Sequence, residues 1–239
     1  MKAYGRTDIG VKRNTNQDYV FATTEKVGRL PNLFIVADGM GGHKAGEIAS
    51  KSAVDSVVAH MKKSKTKDTI SIMQEAILKA NEEVIEKAKK DASMEGMGTT
   101  LVMATVMEKA IYIANVGDSR LYFIDGEIHQ VTRDHSFVEE MVTLGEIDKE
   151  QAKTHARKNI ITRAIGVDDE LAVDFFEVQY KEGDYILICS DGLTNMIDDE
   201  YIKQIVSSDT EVEEKVENLI GLANENGGQD NIAVVLVQL

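Results

Sequence analysis

The sequence predicts an α+β fold in which antiparallel sheets are covered by helices. Short apolar segments follow one another closely between residues 100 and 131, and further strand-like segments lie near both ends of the chain. Two long amphipathic segments stand apart from them. Strands joined by short connections pair in antiparallel fashion because the chain reverses direction between them. Runs of strands with helices grouped separately are typical of this fold class.

The predicted strands are apolar or alternating runs bounded by turn residues. The run 33–38 is the clearest, since it is continuously apolar and ends in a glycine-rich loop, and the run 185–191 has the same shape. Asp125 and Gly126 predict a hairpin turn. The other predicted strands cover residues 3–7, 18–23, 100–106, 110–116, 121–124, 172–178 and 232–237.

Two long helices are predicted over residues 45–61 and 69–90, where apolar residues recur at spacings of three and four. Asp68 is the expected N-cap of the second helix, because its side chain can accept a hydrogen bond from a free amide of the first turn. A third amphipathic helix is predicted over residues 212–223. The polar segment 137–157 predicts short helices outside the main core.

Composition and charge exclude several classes of protein. The chain of 239 residues carries 27 Lys and Arg against 41 Asp and Glu, a net charge of −14, which disfavours nucleic acid and anionic lipid as partners. No segment approaches the roughly 20 apolar residues that span a bilayer, so we expect no membrane insertion. Cys189 lies in an apolar run and predicts a buried thiol. We expect a single cytoplasmic domain over residues 1–239 that acts as a monomer.

Five carboxylates stand where predicted strands begin or end. Asp38 and Asp191 each close an apolar run and lead into a glycine-rich or helical segment. Asp18 opens a strand, Asp230 directly precedes the last strand, and Asp118 lies in a turn between two strands. A lone Asp-Gly pair usually marks only a turn, but acids at the rim of a sheet indicate a ligand site.

The clustering of these acids predicts a site for divalent cations. Carboxylates packed together raise one another's pKa, and a bound cation compensates their charge. Oxygen ligands suit Mg²⁺ or Mn²⁺, whereas the chain has no Cys pair and no closely spaced His residues for zinc. Two such ions about 3.5 to 4 Å apart bind a phosphoryl group and generate hydroxide. Arg13 adds a guanidinium that holds two phosphate oxygens, which predicts hydrolytic phosphoryl transfer.

Six short segments have the order and spacing of one family's motifs: Arg13-x-x-Asn16-Gln-Asp18, Asp38-Gly-Met-Gly-Gly-His43, Gly98-Thr-Thr100, Ala114-Asn-Val-Gly-Asp-Ser-Arg120, Ser190-Asp-Gly192 and Asp230-Asn231. They resemble the metal-dependent serine/threonine protein phosphatases of the type 2C family. The resemblance covers residues 6–237 and is closest to the stand-alone bacterial members. It implies a four-layer α-β-β-α sandwich of two antiparallel sheets, each covered by a helix pair, and a flap over residues 137–165.

The resemblance also implies roles for the acids at the strand ends. Asp38 would bridge two catalytic metal ions, and the backbone carbonyl of Gly39 would bind the second of them. Asp191 and Asp230 would complete the protein ligands of the first ion. Asp18 would act through a coordinated water molecule.

Further implications concern substrate and signalling. Arg13 would hold the substrate phosphate, and Asp118 together with Asp191 would bind a weaker third ion. The implied reaction is hydrolysis of phosphoserine and phosphothreonine on proteins, which reverses serine/threonine kinase signalling. The implied partners are phosphorylated proteins, including a membrane serine/threonine kinase and its substrates.

The chain departs from the family at the residue after Asp38-Gly39. Many eukaryotic members have a histidine there, proposed as the acid that protonates the leaving oxygen, whereas Met40 cannot donate a proton. His43 is three residues further on, and we expect a structural role for it. Metal-bound water is the alternative proton donor.

Two other functions use similar residues. A two-metal phosphodiesterase or nuclease would need the same carboxylates, but the net charge of −14 and the absence of a basic tract argue against it. A catalytically inactive phosphatase-like domain would be expected to have lost metal ligands, and the four principal acids are all present. We expect Arg120 to form a structural ion pair rather than to contact substrate.

Overall fold

The structure is a computed structural model that describes residues 1–42 and 44–239, so that His43 lies outside the described residues. Strands and helices follow in this order: β1 (Lys2–Asp8), β2 (Asp18–Thr23), β3 (Leu33–Met40), α1 (Ala45–Lys63), α2 (Thr69–Lys90), a 3-10 turn (Ala92–Met94), β4 (Gly98–Thr99), β5 (Leu101–Val106), β6 (Ile111–Val116), β7 (Arg120–Ile124), β8 (Ile128–Gln130), α3 (Phe137–Thr143), α4 (Lys149–Thr154), β9 (Asp174–Val178), β10 (Tyr185–Cys189), α5 (Asp191–Thr194), α6 (Asp199–Val206), α7 (Val212–Glu225) and β11 (Ile232–Gln238).

The strands form two antiparallel sheets. The first sheet has the order β1-β11-β10-β7-β8, and the second has the order β2-β3-β5-β6-β9 with β4 beside β3. Each pair of neighbouring strands is antiparallel. The predicted α+β class and the two-sheet arrangement are therefore confirmed.

Three apolar clusters show why the chain folds into four layers. Alternate residues of β3 face opposite ways, as side chains of a strand must: Phe34 and Val36 pack between the sheets, whereas Leu33 and Ile35 pack against α1 and α2. Because helices cover one face and the other sheet covers the opposite face, both faces of β3 are buried. A continuously apolar strand is the expected result.

The helices cover the outer faces of the sheets. Helices α1 and α2 pack on the second sheet, and α5, α6 and α7 pack on the first. The Asp68 carboxylate accepts a hydrogen bond of 2.8 Å from the Ser71 amide, which confirms the predicted N-cap of α2. Helix α6 was not predicted, because its eight residues bury only Ile202 and Val206 and give too short a periodic pattern.

The expectation that consecutive strands in the segment 100–131 pair with each other is wrong for β6 and β7. Strand β6 belongs to the second sheet and β7 to the first, and residues 117–119 connect them. Gly117 has a φ of 107°, a conformation that favours glycine, and a side chain there would collide with Thr100. This turn takes the chain from one sheet to the other and leaves Asp118 at the edge between them.

Three strand boundaries also differ from the predictions by two residues. Strand β3 extends beyond the predicted end at Asp38 to Met40. The strand predicted over residues 185–191 ends at Cys189, because Asp191 begins helix α5. The strand predicted over 172–178 begins at Asp174. Cys189 is a buried free thiol, as predicted.

The segment 137–165, for which the family resemblance implies a flap, lies outside the two sheets and contains α3 and α4, so the predicted short helices are confirmed. A hydrogen bond of 2.8 Å from the Phe137 amide to the Ile160 carbonyl joins the first residue of this segment to a residue near its end. Its end pairs with the second sheet through Thr99 and Ile165. Within the described residues, no helix combines the length and apolar character needed to cross a membrane.

Candidate active site

Asp18 and Asp38 face each other across two neighbouring strands. They are register partners at the end of the β2-β3 pair. The Asp18 side chain is buried, and its Oδ2 accepts a hydrogen bond of 2.7 Å from Ser190, whereas its Oδ1 has no hydrogen-bond donor. A buried carboxylate oxygen without a donor is costly unless a cation neutralises it.

Two threonines fix the backbone of Asp38. Its amide donates to Thr100 Oγ1 at 3.0 Å, and its carbonyl accepts from the Thr100 amide at 2.8 Å and from Thr99 Oγ1 at 2.9 Å. The following residue, Gly39, donates its amide to the Gln17 carbonyl at 3.1 Å. A methyl group on Gly39 would overlap the Gly46 carbonyl in α1, so only glycine fits. The Gly98-Thr-Thr100 motif thus fixes the part of β3 that carries Asp38.

The first sheet contributes Asp191 and Asp230 to the same edge. Asp191 starts α5 and accepts a hydrogen bond of 2.9 Å from Asn195. Asp230 precedes β11, accepts from the Asn231 amide at 2.8 Å and forms an ion pair of 2.7 Å with Arg13. Arg13 is half exposed, so its guanidinium lies at the surface of the acidic cluster.

Asp118 reaches this edge from the connection between the sheets. It lines a cavity of about 660 Å³ together with Asp191 and with residues of the flap. Thr100 and Ser119 share a hydrogen bond of 2.8 Å beneath the connection. Asp118 and Asp191 therefore line the same cavity, and their role in binding a third ion stays a prediction.

The electrostatics of the cluster oppose ionisation. Burial, together with the charges of Asp191 and Asp230, raises the pKa of Asp18 to about 7, although the hydrogen bond from Ser190 opposes the shift. Burial and the charge of Asp18 raise the pKa of Asp38 well above its ordinary value. Burial and the charge of Asp191 raise the pKa of Asp118 to about 7. The pKa of Asp191 is raised by its burial and by Asp230. Acids in this state are suited to binding a cation, whose charge reverses these shifts.

Side chains of the protein donate hydrogen bonds to some of the oxygens of these carboxylates. In the described residues, no three His, Cys, Asp or Glu side chains are grouped in metal-coordinating geometry. Ser190, Asn195 and Arg13 donate to Asp18, Asp191 and Asp230 respectively. The structure therefore provides a cluster of carboxylate oxygens, in which Oδ1 of Asp18 has no hydrogen-bond donor.

Other predicted residues lie where a structural role requires them. Arg120 forms a double hydrogen bond with Asp134, at 3.0 and 2.7 Å, and donates to Tyr122 at 3.1 Å, so the predicted structural ion pair is confirmed. Met40 is half-buried at the end of β3 opposite Gly98 and carries no proton to donate.

Sequence reasoning assigned no role to Ser190 and Asn231, although both stand beside predicted ligands. Asn231 accepts a hydrogen bond of 2.8 Å from the Gln17 amide and donates to the carbonyls of Ile9 and Thr15 at 2.9 Å. It thereby anchors the loop that carries Arg13. The sequence shows only that Ser190 and Asn231 are adjacent to predicted ligands. The hydrogen-bond partners of Asn231 are more than 200 residues away in the chain, so no local pattern indicates them.

Gly192 is the basis of a stability prediction. A methyl group there would overlap the Asn231 carbonyl. We expect Gly192→Ala to lower the free energy of unfolding by about 1–3 kcal/mol, as overpacked sites do. Gly221→Ala is the control, because no heavy atom lies within 4 Å of the added carbon, and it should stabilise α7 by about 0.4–1 kcal/mol. Urea unfolding measures both, and a Gly192→Ala protein as stable as the original would contradict this packing.

Known proteins agree with the fold and with the sequence motifs. The Protein phosphatase 2C family matches residues 9–236. Protein phosphatase PhpP of Streptococcus pneumoniae serotype 2 is 44% identical over 238 residues, covering 98% of this chain and 95% of that protein. Serine/threonine phosphatase Stp1 from Staphylococcus aureus superposes with a TM-score of 0.93 at 36% identity, covering 100% of this chain and 94% of Stp1.

A second solved structure bears on the metal. The catalytic domain of the serine threonine protein phosphatase PstP, in complex with 2 manganese ions, has a TM-score of 0.87 and 32% identity. The superposition covers 99% of this chain and 97% of that one. Since the family match spans nearly the whole sequence and the folds agree, the chain belongs to the protein phosphatase 2C family and is a serine/threonine protein phosphatase.

Proposed function

We propose that this chain hydrolyses phosphoserine and phosphothreonine in proteins with two Mn²⁺ or Mg²⁺ ions. In this proposal Asp38 would hold both ions, the Gly39 carbonyl would hold the second, and Asp191 and Asp230 would hold the first. Asp18 acts through a coordinated water molecule. The observation that carries the proposal is the group of acids with raised pKa values, in which a buried oxygen of Asp18 has no donor.

The residues of the site would have three roles in the reaction: holding the ions, positioning the acids and binding the substrate phosphate. The acids would hold ions that, when bound, would supply polarisation of the phosphoryl oxygens and an activated water for attack on phosphorus. Thr99 and Thr100 hold the backbone of Asp38, and Ser190 orients Asp18. Arg13, exposed at the mouth of the cluster, binds the phosphate of the substrate and offsets the repulsion between that phosphate and the acids.

The assay that tests this function compares two substrates in the presence of Mn²⁺. A phosphoserine or phosphothreonine peptide should be hydrolysed in the presence of Mn²⁺, and bis-p-nitrophenyl phosphate should be hydrolysed far more slowly. Preference for the diester would favour a phosphodiesterase, and absence of turnover on both would favour a binding domain.

Arg13→Ala should weaken substrate binding while leaving metal binding intact. Loss of a charge-assisted phosphate contact should raise KM for a phosphopeptide about tenfold or more. Arg29→Ala is a matched control, because Arg29 is an exposed arginine that precedes β3, at the opposite end of that strand from Asp38. Loss of Mn²⁺ binding by calorimetry with an unchanged KM would show instead that Arg13 supports the acids.

Asp118→Asn tests the proposed third ion. A site with two protein carboxylates leaves its ion mostly hydrated and binds it weakly. We expect the variant to lose one metal peak in anomalous diffraction from Mn²⁺-soaked crystals, and to lower kcat more than substrate affinity. Three peaks in the variant, or two in the original protein at high Mn²⁺, would refute the role of Asp118.

We also propose a cellular setting. The substrates include a membrane serine/threonine kinase and the proteins that it phosphorylates, and residues 1–239 act as one monomeric domain in the cytoplasm. All the proposed ligands come from one chain, which supports the monomer. Removal of phosphate from an autophosphorylated kinase of this class is the corresponding test.

A further inference from the structure

His135 occupies a buried junction that none of the roles above uses. Only 4% of its side chain is exposed. It lies directly before Ser136, the N-cap of α3, and therefore at the entrance to the flap. Buried histidines require hydrogen-bond partners for both ring nitrogens, so the partners of His135 reveal what it connects.

The first connection is to the turn that carries Asp118. The His135 amide donates to the Gly117 carbonyl at 2.9 Å, and the Gly117 amide donates to His135 Nδ1 at 3.1 Å. His135 thus binds both main-chain polar groups of Gly117, the residue before Asp118. Because Nδ1 accepts a hydrogen bond, the ring proton resides on Nε2.

The second connection is to the end of the flap. With the ring proton on Nε2, His135 donates to Asp174 Oδ2 at 3.1 Å. Arg163 Nη1 lies 3.2 Å from the same ring nitrogen and donates to the other oxygen of Asp174 at 2.9 Å. The His135 carbonyl accepts from the Thr162 amide at 2.8 Å. Asp174 begins β9 and is the register partner of Asn115 in β6, so the flap is joined here to the second sheet.

We infer that His135 is a positioning residue that ties both ends of the flap to the Gly117 turn and so sets the place of Asp118. The cavity supports this, because Asp118 and flap residues such as Val138 and Lys153 line the same space. Movement at the flap base would therefore alter the Asp118 side of that cavity. The kinetic part of the inference rests on the proposed function, whereas the structural part does not.

Two conservative substitutions separate the two connections. In His135→Asn the amide oxygen can replace Nδ1 and accept from Gly117, but the side chain is too short to reach Asp174. In His135→Gln the amide nitrogen can replace Nε2 and donate to Asp174, but the bond to Gly117 is lost. His129→Gln is the matched control. His129 is exposed on β8, and its Nε2 lies 3.5 Å from the exposed carboxylate of Asp125.

Hydrogen exchange is the primary measurement. In His135→Gln, exchange of the Gly117 amide should rise about tenfold, the effect of one lost hydrogen bond. In His135→Asn that amide should keep its protection, while exchange rises at Thr162 and its neighbours. Uniform acceleration over both sheets, or no local change in either variant, would overturn the inference.

Kinetics supply the second measurement. With a phosphopeptide, His135→Gln should lower kcat with little change in KM, and His135→Asn should raise KM with little change in kcat. With p-nitrophenyl phosphate, which is too small to reach the flap, the His135→Asn effect should disappear. Identical kinetic losses in both variants would also overturn the inference. If the unaltered protein hydrolyses no phosphopeptide, the proposed function fails, and hydrogen exchange still tests the structural connections.

Discussion

Asp38→Asn is expected to reduce phosphatase turnover about a thousandfold or more. The proposed bridging carboxylate contacts two ions, and the loss of two charged contacts of about 2 kcal/mol each corresponds to that factor. The backbone of residue 38 should remain in place, because Thr99 and Thr100 bind main-chain atoms only. The measurement is kcat for a phosphopeptide at saturating Mn²⁺, and near-normal turnover would refute the bridging role.

Stability distinguishes this result from simple misfolding. Burial and the neighbouring charge of Asp18 raise the pKa of Asp38, so its ionised form destabilises the folded protein in chelator at neutral pH. Asparagine has nearly the same volume and no charge, so the variant should unfold at the same or a higher temperature in EDTA. Asp125→Asn, in the exposed Asp125-Gly126 hairpin, is the matched control and should retain full activity.

Removal of divalent metal is the second change with a large expected effect. We expect EDTA to abolish activity and Mn²⁺ to restore it, while KCl of equal ionic strength does not. Mn²⁺ at about 100 times its dissociation constant should also stabilise the fold by about 2.7 kcal/mol. Full turnover after exhaustive metal removal would contradict the mechanism.

The pH dependence of stability provides an independent check on the acids. The pKa values of Asp18 and Asp118 in the folded chain are about 7, above the ordinary value of 3.8. A raised carboxylate pKa favours folding at low pH and loses that contribution as pH rises toward 7. In EDTA, stability from these groups should therefore fall between about pH 4 and 7. Stabilisation by Mn²⁺ should increase over the same range, and thermal unfolding at several pH values measures both.

Much of the fold was predictable because its signals are local. Strand β3 is continuously apolar and α2 repeats its apolar residues every three or four positions, so each element specifies its own type. The assignment of β6 and β7 to different sheets was not predictable in this way. A connection of three residues can close a hairpin or change sheets, and only the packing of Gly117 on Thr100 decides between them.

The acids of the candidate site were predictable for a related reason. Asp38 closes the apolar part of β3 and Asp191 comes two residues after the end of β10, so their positions along the chain place them near a sheet rim. The residues that hold them were harder to find. Ser190 binds Asp18 across 172 positions of sequence, and His135 binds Asp174 across 39. Such pairings depend on the completed fold and have no periodic signature.

The division of the acids between two sheets has a consequence for how the enzyme matures. Asp18 and Asp38 belong to the second sheet, whereas Asp191 and Asp230 border strands of the first. Neither sheet alone has the full set of proposed ligands, so a chain with only one sheet formed should be inactive. Recovery of turnover after dilution from denaturant should therefore not precede the docking of the two sheets. Newly synthesised chains would therefore have no phosphatase activity until the two sheets have packed against each other.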